Sequence, residues 1–305
     1  MDTPLVSIII TNYNYGQFLQ EAIDSALNQT YPHTEVIVVD DGSTDNSQDI
    51  IKSYGNKLLS VMKANGGQAS AFNAGFATSH GDIICFLDSD DTVGSEKVTQ
   101  IVDVFSTHPD IGWCFHPLQI MDTKTGTIIK SSYEWLSDEY DLRASLRRGK
   151  LGNDLPCCPA TSGLCFRRSL LGQILPMPEA TDVSISDSYI KFTAIGLSKG
   201  FVLAQELAIQ RIHYYNAYTL RRDQPQLIAR IHILTAYWMQ KNFPIINKFA
   251  NNLFAVGLGI YWQIGGVEAT YVKYVKSYLS SLSLLDKMEM SLRIIYHRVK
   301  PIKNS

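Results

Sequence analysis

Three carboxylates, Asp88, Asp90 and Asp91, follow directly on the apolar run Ile83-Ile84-Cys85-Phe86-Leu87, with Ser89 between the first two. Ionised side chains crowded this closely repel one another, so either one of them holds a proton or a divalent cation neutralises the group. All-oxygen donors suit Mg²⁺ or Mn²⁺, hard ions that leave positions open for phosphate oxygens; zinc prefers His and Cys. The tetrad therefore points to a metal-held diphosphate. A solvated turn or a helix N-cap puts the same residues at a strand end, so the neighbouring motifs must decide.

Three further stretches carry polar chemistry. Asp40-Asp41-Gly42-Ser43-Thr44-Asp45 contains a turn glycine and residues able to cap a following helix. A cap does not account for two acids at the strand end itself, where a carboxylate can accept a hydrogen bond from a nucleobase imide. Asn65-Gly66-Gly67-Gln68-Ala69-Ser70-Ala71-Phe72-Asn73-Ala74-Gly75 opens a helix after a glycine pair. Its first N–H groups suit phosphate or ribose oxygens, and its small residues suit close packing. Neither a dinucleotide fingerprint nor a P-loop is present. Finally, Val183-Ser184-Ile185-Ser186-Asp187 puts an acid at a helix start, where capping alone would explain it. In Gln210-Arg211-Ile212-His213-Tyr214-Tyr215-Asn216, a lone His following a strand is more often structural than a ligand.

The elements that must position these residues alternate. Strand patterns at Val6 to Ile10, Glu35 to Asp40, Leu58 to Met62 and Asp82 to Leu87 interleave with helical periodicity at Gln17 to Asn28, Asp45 to Tyr54, Gln68 to Ser79 and Ser95 to Ser106. This order predicts an α/β fold, a mainly parallel sheet flanked by helices. Ligands on such sheets bind beyond the carboxyl ends of the strands. Thr11-Asn12-Tyr13-Asn14, Asp40-Asp41-Gly42-Ser43 and Asp88 to Asp91 all fall there. Further strands are expected at Ile111 to His116, Thr127 to Lys130, Gly163 to Phe166 and Phe201 to Leu203. Helices are expected at Asp138 to Arg148 and Asp187 to Leu197, and throughout the chain beyond Asn216. The boundary is drawn between a nucleotide-binding domain of residues 1–220 and a helical extension of residues 221–305.

A chain of 305 residues, 45% hydrophobic, can build a substantial core, and its formal charge of −2 disfavours a nucleic-acid partner. The five cysteines, Cys85, Cys114, Cys157, Cys158 and Cys165, lack zinc-ligand spacing and read as reduced core residues of a cytoplasmic protein. No secretory signal is evident at the start, and the apolar stretch Leu253 to Ile264 is too short to span a bilayer. Between Glu268 and Ser305, seven Lys/Arg (Lys273, Lys276, Lys287, Arg293, Arg298, Lys300, Lys303) stand against three acids, interleaved with tyrosines and leucines. Two arrangements fit: peripheral contact with an anionic membrane, at its inner face, or a helical pair packed on the rest of the protein.

Taken in order, the motifs Val-Ser-Ile-Ile-Ile-Thr-Asn-Tyr-Asn, Val-Asp-Asp-Gly-Ser-Thr-Asp, Asn-Gly-Gly-Gln-Ala-Ser-Ala-Phe-Asn-Ala-Gly, Leu-Asp-Ser-Asp-Asp and Arg-Ile-His-x-x-Asn resemble the family-2 inverting glycosyltransferases of the GT-A fold, from Val6 to about Asn216. The resemblance implies a metal-dependent enzyme, with Mn²⁺ or Mg²⁺, that moves a sugar from a nucleotide-sugar, UDP-linked, to a hydroxyl of a saccharide or lipid-linked acceptor. It implies donor binding by Thr11, Asn12, Tyr13, Asp40, Asp41, Asn65, Gly67, Asn73, Asp88, Ser89, Arg211 and His213. Asp88, Asp90 and His213 are the implied metal site. Asp187 is the implied base for the acceptor hydroxyl; the family often has Glu-Asp here, and this chain has Ser186 before the Asp. Phe72 stands where many members have Arg, and Thr161-Ser162-Gly163 resembles the segment beside the donor sugar.

Two other functions compete. A nucleotidyltransferase would carry a Gly-rich, basic loop after the first strand, which Thr11 to Asn14 does not resemble. A non-catalytic GT-A module would need no base, so retention of Asp187 beside Asp88 and Asp90 disfavours it.

Overall fold

The computed structural model of the protein describes residues 3–129, 136–151, 158–179, 187–214, 216 and 223–299. Lys130, Cys157, Val183 to Ser186, Tyr215, Lys300 and Lys303 lie outside the described residues. The chain divides into two compact units. One comprises Met1–Asp141, Asn153–Glu179 and Leu197–His213; the other comprises Leu142–Gly152, Ala180–Gly196 and Tyr214–Ser305.

The first unit opens with β1 (Val6–Asn12), α1 (Gly16–Leu27), β2 (Thr34–Asp40), α2 (Ser47–Ser53), β3 (Leu59–Met62), α3 (Gly67–Thr78) and β4 (Ile83–Asp88). It continues through β5 (Thr92–Val93), α4 (Lys97–Thr107), β6 (Trp113–Phe115), β7 (Gln119–Asp122), β8 (Thr127–Ile129) and β9 (Asp138–Tyr140). After α5 (Arg143–Arg147), which belongs to the second unit, come β10 (Leu164–Arg167) and α6 (Arg168–Ile174). After α7 (Asp187–Leu197), the first unit ends with β11 (Gly200–Val202) and β12 (Ala208–Ile212).

Eight strands form one sheet in the order β3-β2-β1-β4-β10-β6-β11-β9, and four form a second in the order β5-β12-β7-β8. Strands β3, β2, β1 and β4 run parallel, while β10 runs antiparallel to both β4 and β6. The sheet is thus parallel in the half built from β3, β2, β1 and β4 and mixed beyond it. Every residue of β1 is buried, as a parallel strand covered on both faces requires. On one face Val6, Ile8 and Ile10 pack with Val36, Val38, Leu19, Ile23, Val98 and Ile101. Elsewhere a run of rings, Phe72–Phe86–Phe166–Phe115–Trp113, has successive centroids 4.6, 6.1, 5.6 and 4.4 Å apart. Phe72 is therefore a core residue that anchors α3. The register sets Asn12 opposite Asp40 and Thr11 opposite Asp88, so three polar strand ends share one edge.

Several expectations need correction. Asp138 to Tyr140 is a strand because it pairs antiparallel with β11, and only Arg143–Arg147 of the expected helix is helical. The residues of β5 and β7 are too few or too polar to show a clear strand pattern, whereas the strand-like Leu207-Ala208-Ile209 does run into β12; the second sheet comes from non-local pairing. Cys85, Cys114 and Cys165 are buried thiols, as expected of core residues, but Cys158 is exposed.

In the second unit, α5 and α7 group with α8 (Gln224–Asn242), α9 (Asn247–Gln263), α10 (Val272–Ser281) and α11 (Leu284–Val299). Helix α9 packs against α8 and α11, and α10 against α8. Phe254 and Tyr278 stack with centroids 3.9 Å apart, and Glu268 accepts hydrogen bonds from Arg230 and Tyr261. No helix among the described residues is long and apolar enough to cross a membrane.

One imidazole in this unit titrates abnormally. Burial, then the neighbouring His297, pushes the pKa of His232 down to about 4, and its Nδ1 has no hydrogen-bond partner. An imidazole kept neutral by the fold, but titrating near 6.5 when unfolded, leaves stability intact above that pH and lowers it progressively toward pH 4. The melting temperature of the wild type should fall across that window. The His232→Gln variant should lose a visibly smaller amount over the same pH range, as read by circular dichroism melts.

Candidate active site

Asn12, at the end of β1, is almost fully buried and donates from Nδ2 to Asp40 Oδ1 (2.9 Å) and to Ser43 Oγ (3.1 Å). The other oxygen of Asp40 accepts from Ser43 N–H (3.1 Å) and Gln48 Nε2 (3.2 Å). Asn12 Oδ1 is a buried acceptor with no partner among the described groups. Asn14 takes φ +58°, a left-handed conformation that Asn tolerates better than most residues. There its Oδ1 accepts the Thr44 N–H at 2.7 Å and its own N–H donates to Ser43 Oγ at 2.8 Å. The loops after β1 and β2 are stitched together, leaving Tyr13 half exposed.

Asp41 stitches a third loop to them. Its Oδ1 accepts from Lys63 Nζ (2.6 Å) and Gly66 N–H (2.9 Å), and its Oδ2 from Gly67 N–H (2.7 Å). The first N–H groups of α3, expected to face phosphate, are thus bound to Asp41, because a carboxylate at a helix N-terminus neutralises the same positive end. Between the two acids and the α3 loop, Gly42 adopts φ +78°, and a Cβ there would come within 2.7 Å of the Asn65 backbone nitrogen. Asn65 is exposed at the start of this loop. Asn73 does not join it: its Nδ2 donates to the Met177 carbonyl and to Glu179, and its Oδ1 accepts the Met177 N–H. Asp45, one residue before the N-cap Asn46 of α2, accepts the Ser47 N–H into Oδ1 at 3.0 Å.

The acid cluster follows β4. Asp88, Asp90 and Asp91 each bring a carboxylate oxygen within 4.8 Å of the others. Ser89 is buried, and its hydroxyl has no partner among the described groups. Asp91 is also buried: Oδ2 accepts from Ser162 Oγ (2.6 Å) and Oδ1 from Arg211 N–H (3.1 Å). Burial, reinforced by the charge of Asp90, raises its pKa to about 7. Ser162 Oγ also accepts the Asp88 N–H, and its carbonyl accepts from the fully buried Lys97 Nζ at 2.7 Å.

The end of β12 closes the cluster. Buried Arg211 donates to the Asp90 carbonyl and to Glu21, and to the Phe18 carbonyl at 3.2 Å, with its guanidinium 4.9 Å from the Phe18 ring centre. His213 Nε2 lies 3.1 Å from Asp90 Oδ2, and its ring stacks on Phe18 at 4.4 Å with Tyr15 edge-on at 5.6 Å. Arg211 is therefore a bracket between α1 and the cluster. Phe18, Glu21 and Lys97 escaped the sequence reading, although a lysine in the first helical turn, where the dipole disfavours it, is a signal of a special role.

Asp187, in the second unit, starts α7 and accepts from Lys191 Nζ at 3.3 Å, an i,i+4 ion pair.

A parallel sheet extended by antiparallel strands, with an acid cluster at the end of its fourth strand, is an α/β fold of the GT-A kind. Residues 7–172 match the family model "Glycosyl transferase family 2", and the chain belongs to that family. A Nostoc sp. protein described as an uncharacterized glycosyltransferase is 39% identical over 215 residues, 69% of this chain and 66% of its own length. Among solved structures, S. aureus TarS 1–349 in complex with UDP-GlcNAc is similar with a TM-score of 0.67 at 17% identity, covering 96% of this chain and 89% of that one. The mannosyltransferase PcManGT from Pyrobaculum calidifontis, in complex with GDP-Man and Mn²⁺, is similar with a TM-score of 0.54 at 17% identity, over 98% and 87% of the two chains. At these identities the likeness shows the GT-A fold.

Ser162→Ala removes the donor to Asp91 and the acceptor for the Asp88 N–H. It should destabilise the protein by about 1–3 kcal/mol. Urea titration should show a lower midpoint with an unchanged slope.

Proposed function

We propose that this chain is an inverting glycosyltransferase, transferring a sugar from a UDP-linked donor to a hydroxyl of a saccharide or lipid-linked acceptor, in the cytoplasm and for cell-surface polysaccharide. The observation that carries this reading is the clustering of Asp88, Asp90 and Asp91 on the sheet edge that also holds Asn12 and Asp40. Family membership and fold neighbours holding UDP-GlcNAc and GDP-Man support it.

The roles divide as follows. Tyr13, exposed beside the strand ends, offers a ring for stacking on the base, and Asn12 Oδ1 offers an acceptor. Asp40 and Asp41 position rather than touch: their carboxylates hold the three loops in place. The carboxylates of Asp88 and Asp90, with His213 beside them, form a donor set that fits Mn²⁺ or Mg²⁺. Such an ion, when bound, offsets the charge that grows on the departing nucleoside diphosphate. Asp91, held by Ser162 and Arg211, fixes the cluster's shape. Asp187 accepts the proton of the acceptor hydroxyl as its oxygen attacks the anomeric carbon. The bond from that carbon to the diphosphate breaks on the opposite face, which inverts the centre. The catalytic domain is assigned to residues 1–220, with residues 221–305 as its helical extension.

Calorimetry with UDP and Mn²⁺ tests the metal site: Asp90→Ala should abolish metal-dependent binding, and unchanged binding would refute the assignment. Asp187→Asn should bind donor nearly as well as the wild type while transfer falls on the order of 10²–10⁴-fold. A panel of nucleotide-sugars with Mn²⁺, scored for release of nucleoside diphosphate, identifies the donor.

A further inference from the structure

Helix α11 turns an apolar face outward. It is seated on α9 by buried Met290 and Ile294, and by Gln263 Nε2 donating to the His297 carbonyl at 2.7 Å. At Gly259 of α9 a Cβ would come within 2.6 Å of His297 Cβ, so the two helices meet at close range on that side. On the other side, Leu284, Leu285, Met288, Leu292, Ile295, Tyr296 and Val299 are each 55–80% exposed. At 3.6 residues per turn these seven fall within an arc of about 120°. An exposed apolar stripe of this extent marks an interaction surface.

Its borders say what it meets. Lys287 and Arg298 line one edge, and the Arg298 guanidinium lies 5.9 Å from the centre of the Trp262 ring, itself 44% exposed. On the other edge Arg293 pairs with Glu289 at 2.6 Å. Lys300 and Lys303 follow in the sequence, within a segment of seven cations and three acids. A second copy of the chain would be a poor fit. If Leu285, Met288, Leu292, Ile295 and Val299 were a helix–helix seam, its flanks would be Leu284, Ser291 and Arg298 against Glu289 and Tyr296. These give no opposite-charge pair with themselves in the parallel or antiparallel sense. The stripe is also wider than such a seam needs. A wide apolar arc, a cationic edge and an indole beside it are the features of a helix lying in a lipid interface.

We propose that α11 is a docking helix for an anionic bilayer surface, with its seven-residue stripe in the acyl boundary and Lys287, Arg298 and Trp262 at the headgroups. The contact supplies attachment without a membrane-spanning segment, by apolar insertion and by attraction to anionic lipid together.

Flotation of the full chain with phosphatidylcholine vesicles, and with phosphatidylcholine–phosphatidylglycerol vesicles at a ratio of about 2:1, tests this. The chain should float with the anionic vesicles and bind the neutral ones at least tenfold more weakly. Leu285→Glu/Leu292→Glu, whose side chains are exposed and whose circular dichroism should match the wild type, should abolish flotation; Lys287→Glu/Arg298→Glu should weaken it at least threefold. Flotation of Leu285→Glu/Leu292→Glu equal to wild type would overturn the proposal. So would a wild type that fails to float, whether it sediments as a monomer or as a dimer that Leu292→Glu dissociates. Flotation measures no sugar transfer, so its failure leaves the transferase reading standing.

Discussion

The site depends on the constraint that three acids must be held close together at the end of one strand without flying apart. Asp91 meets it by being buried, with one oxygen bonded to Ser162 Oγ and the other to the Arg211 N–H, and with a pKa raised to about 7. Around it, Arg211 fixes the Asp90 backbone, His213 sits against the Asp90 carboxylate and Lys97 fixes the Ser162 carbonyl. Charge repulsion alone would splay the turn; hydrogen bonds from three separate segments hold it as a defined cluster of carboxylates.

The loops after β1, β2 and β3 follow a similar logic, again with carboxylates as the acceptors. Asp40 and Asp41 look like recognition residues because they stand at a strand end, yet their oxygens hold Asn12, Ser43, Gln48, Lys63 and the first N–H groups of α3. They act as fasteners that bring three loops to one level. The outward ring of Tyr13 and the unpartnered Oδ1 of Asn12 take no part in this fastening.

Much of this was legible in the sequence, for identifiable reasons. The runs Val6 to Ile10, Glu35 to Asp40 and Ile83 to Leu87 are short, β-branched and bounded by polar turns, so strand type, order and polar ends could be read directly. The acid cluster could be read because its members are neighbours in the chain. The second sheet could not, because β5 has two residues and pairs with β12 more than a hundred positions away. Asn73 and Phe72 share one helix with the glycine loop, yet one reaches Met177 and the other the core, since a helical face is chosen by its packing partner. In the last segment, interleaved tyrosines and lysines are ambiguous by composition. Only the packing of the helices separates Tyr274 and Tyr278, buried against α8 and α9, from Leu285 and Leu292, which face out.

Arg211 also sets an order of events in the life of the chain. It is contributed by β12, yet it grips Phe18 and Glu21 near the start and Asp90 in the middle. During synthesis the N-terminal strands can pair while the remainder is still being made, but the acid turn has no guanidinium to fasten it until residue 211 has left the ribosome. Contacts so distant in sequence carry the largest loop-closure cost and form late. The strands bearing the acids can therefore pair before the turn from Asp88 to Asp91 is fastened, and a chain that ended before β12 would keep every acid of the cluster yet lack the Arg211 bonds to Asp90 and Asp91.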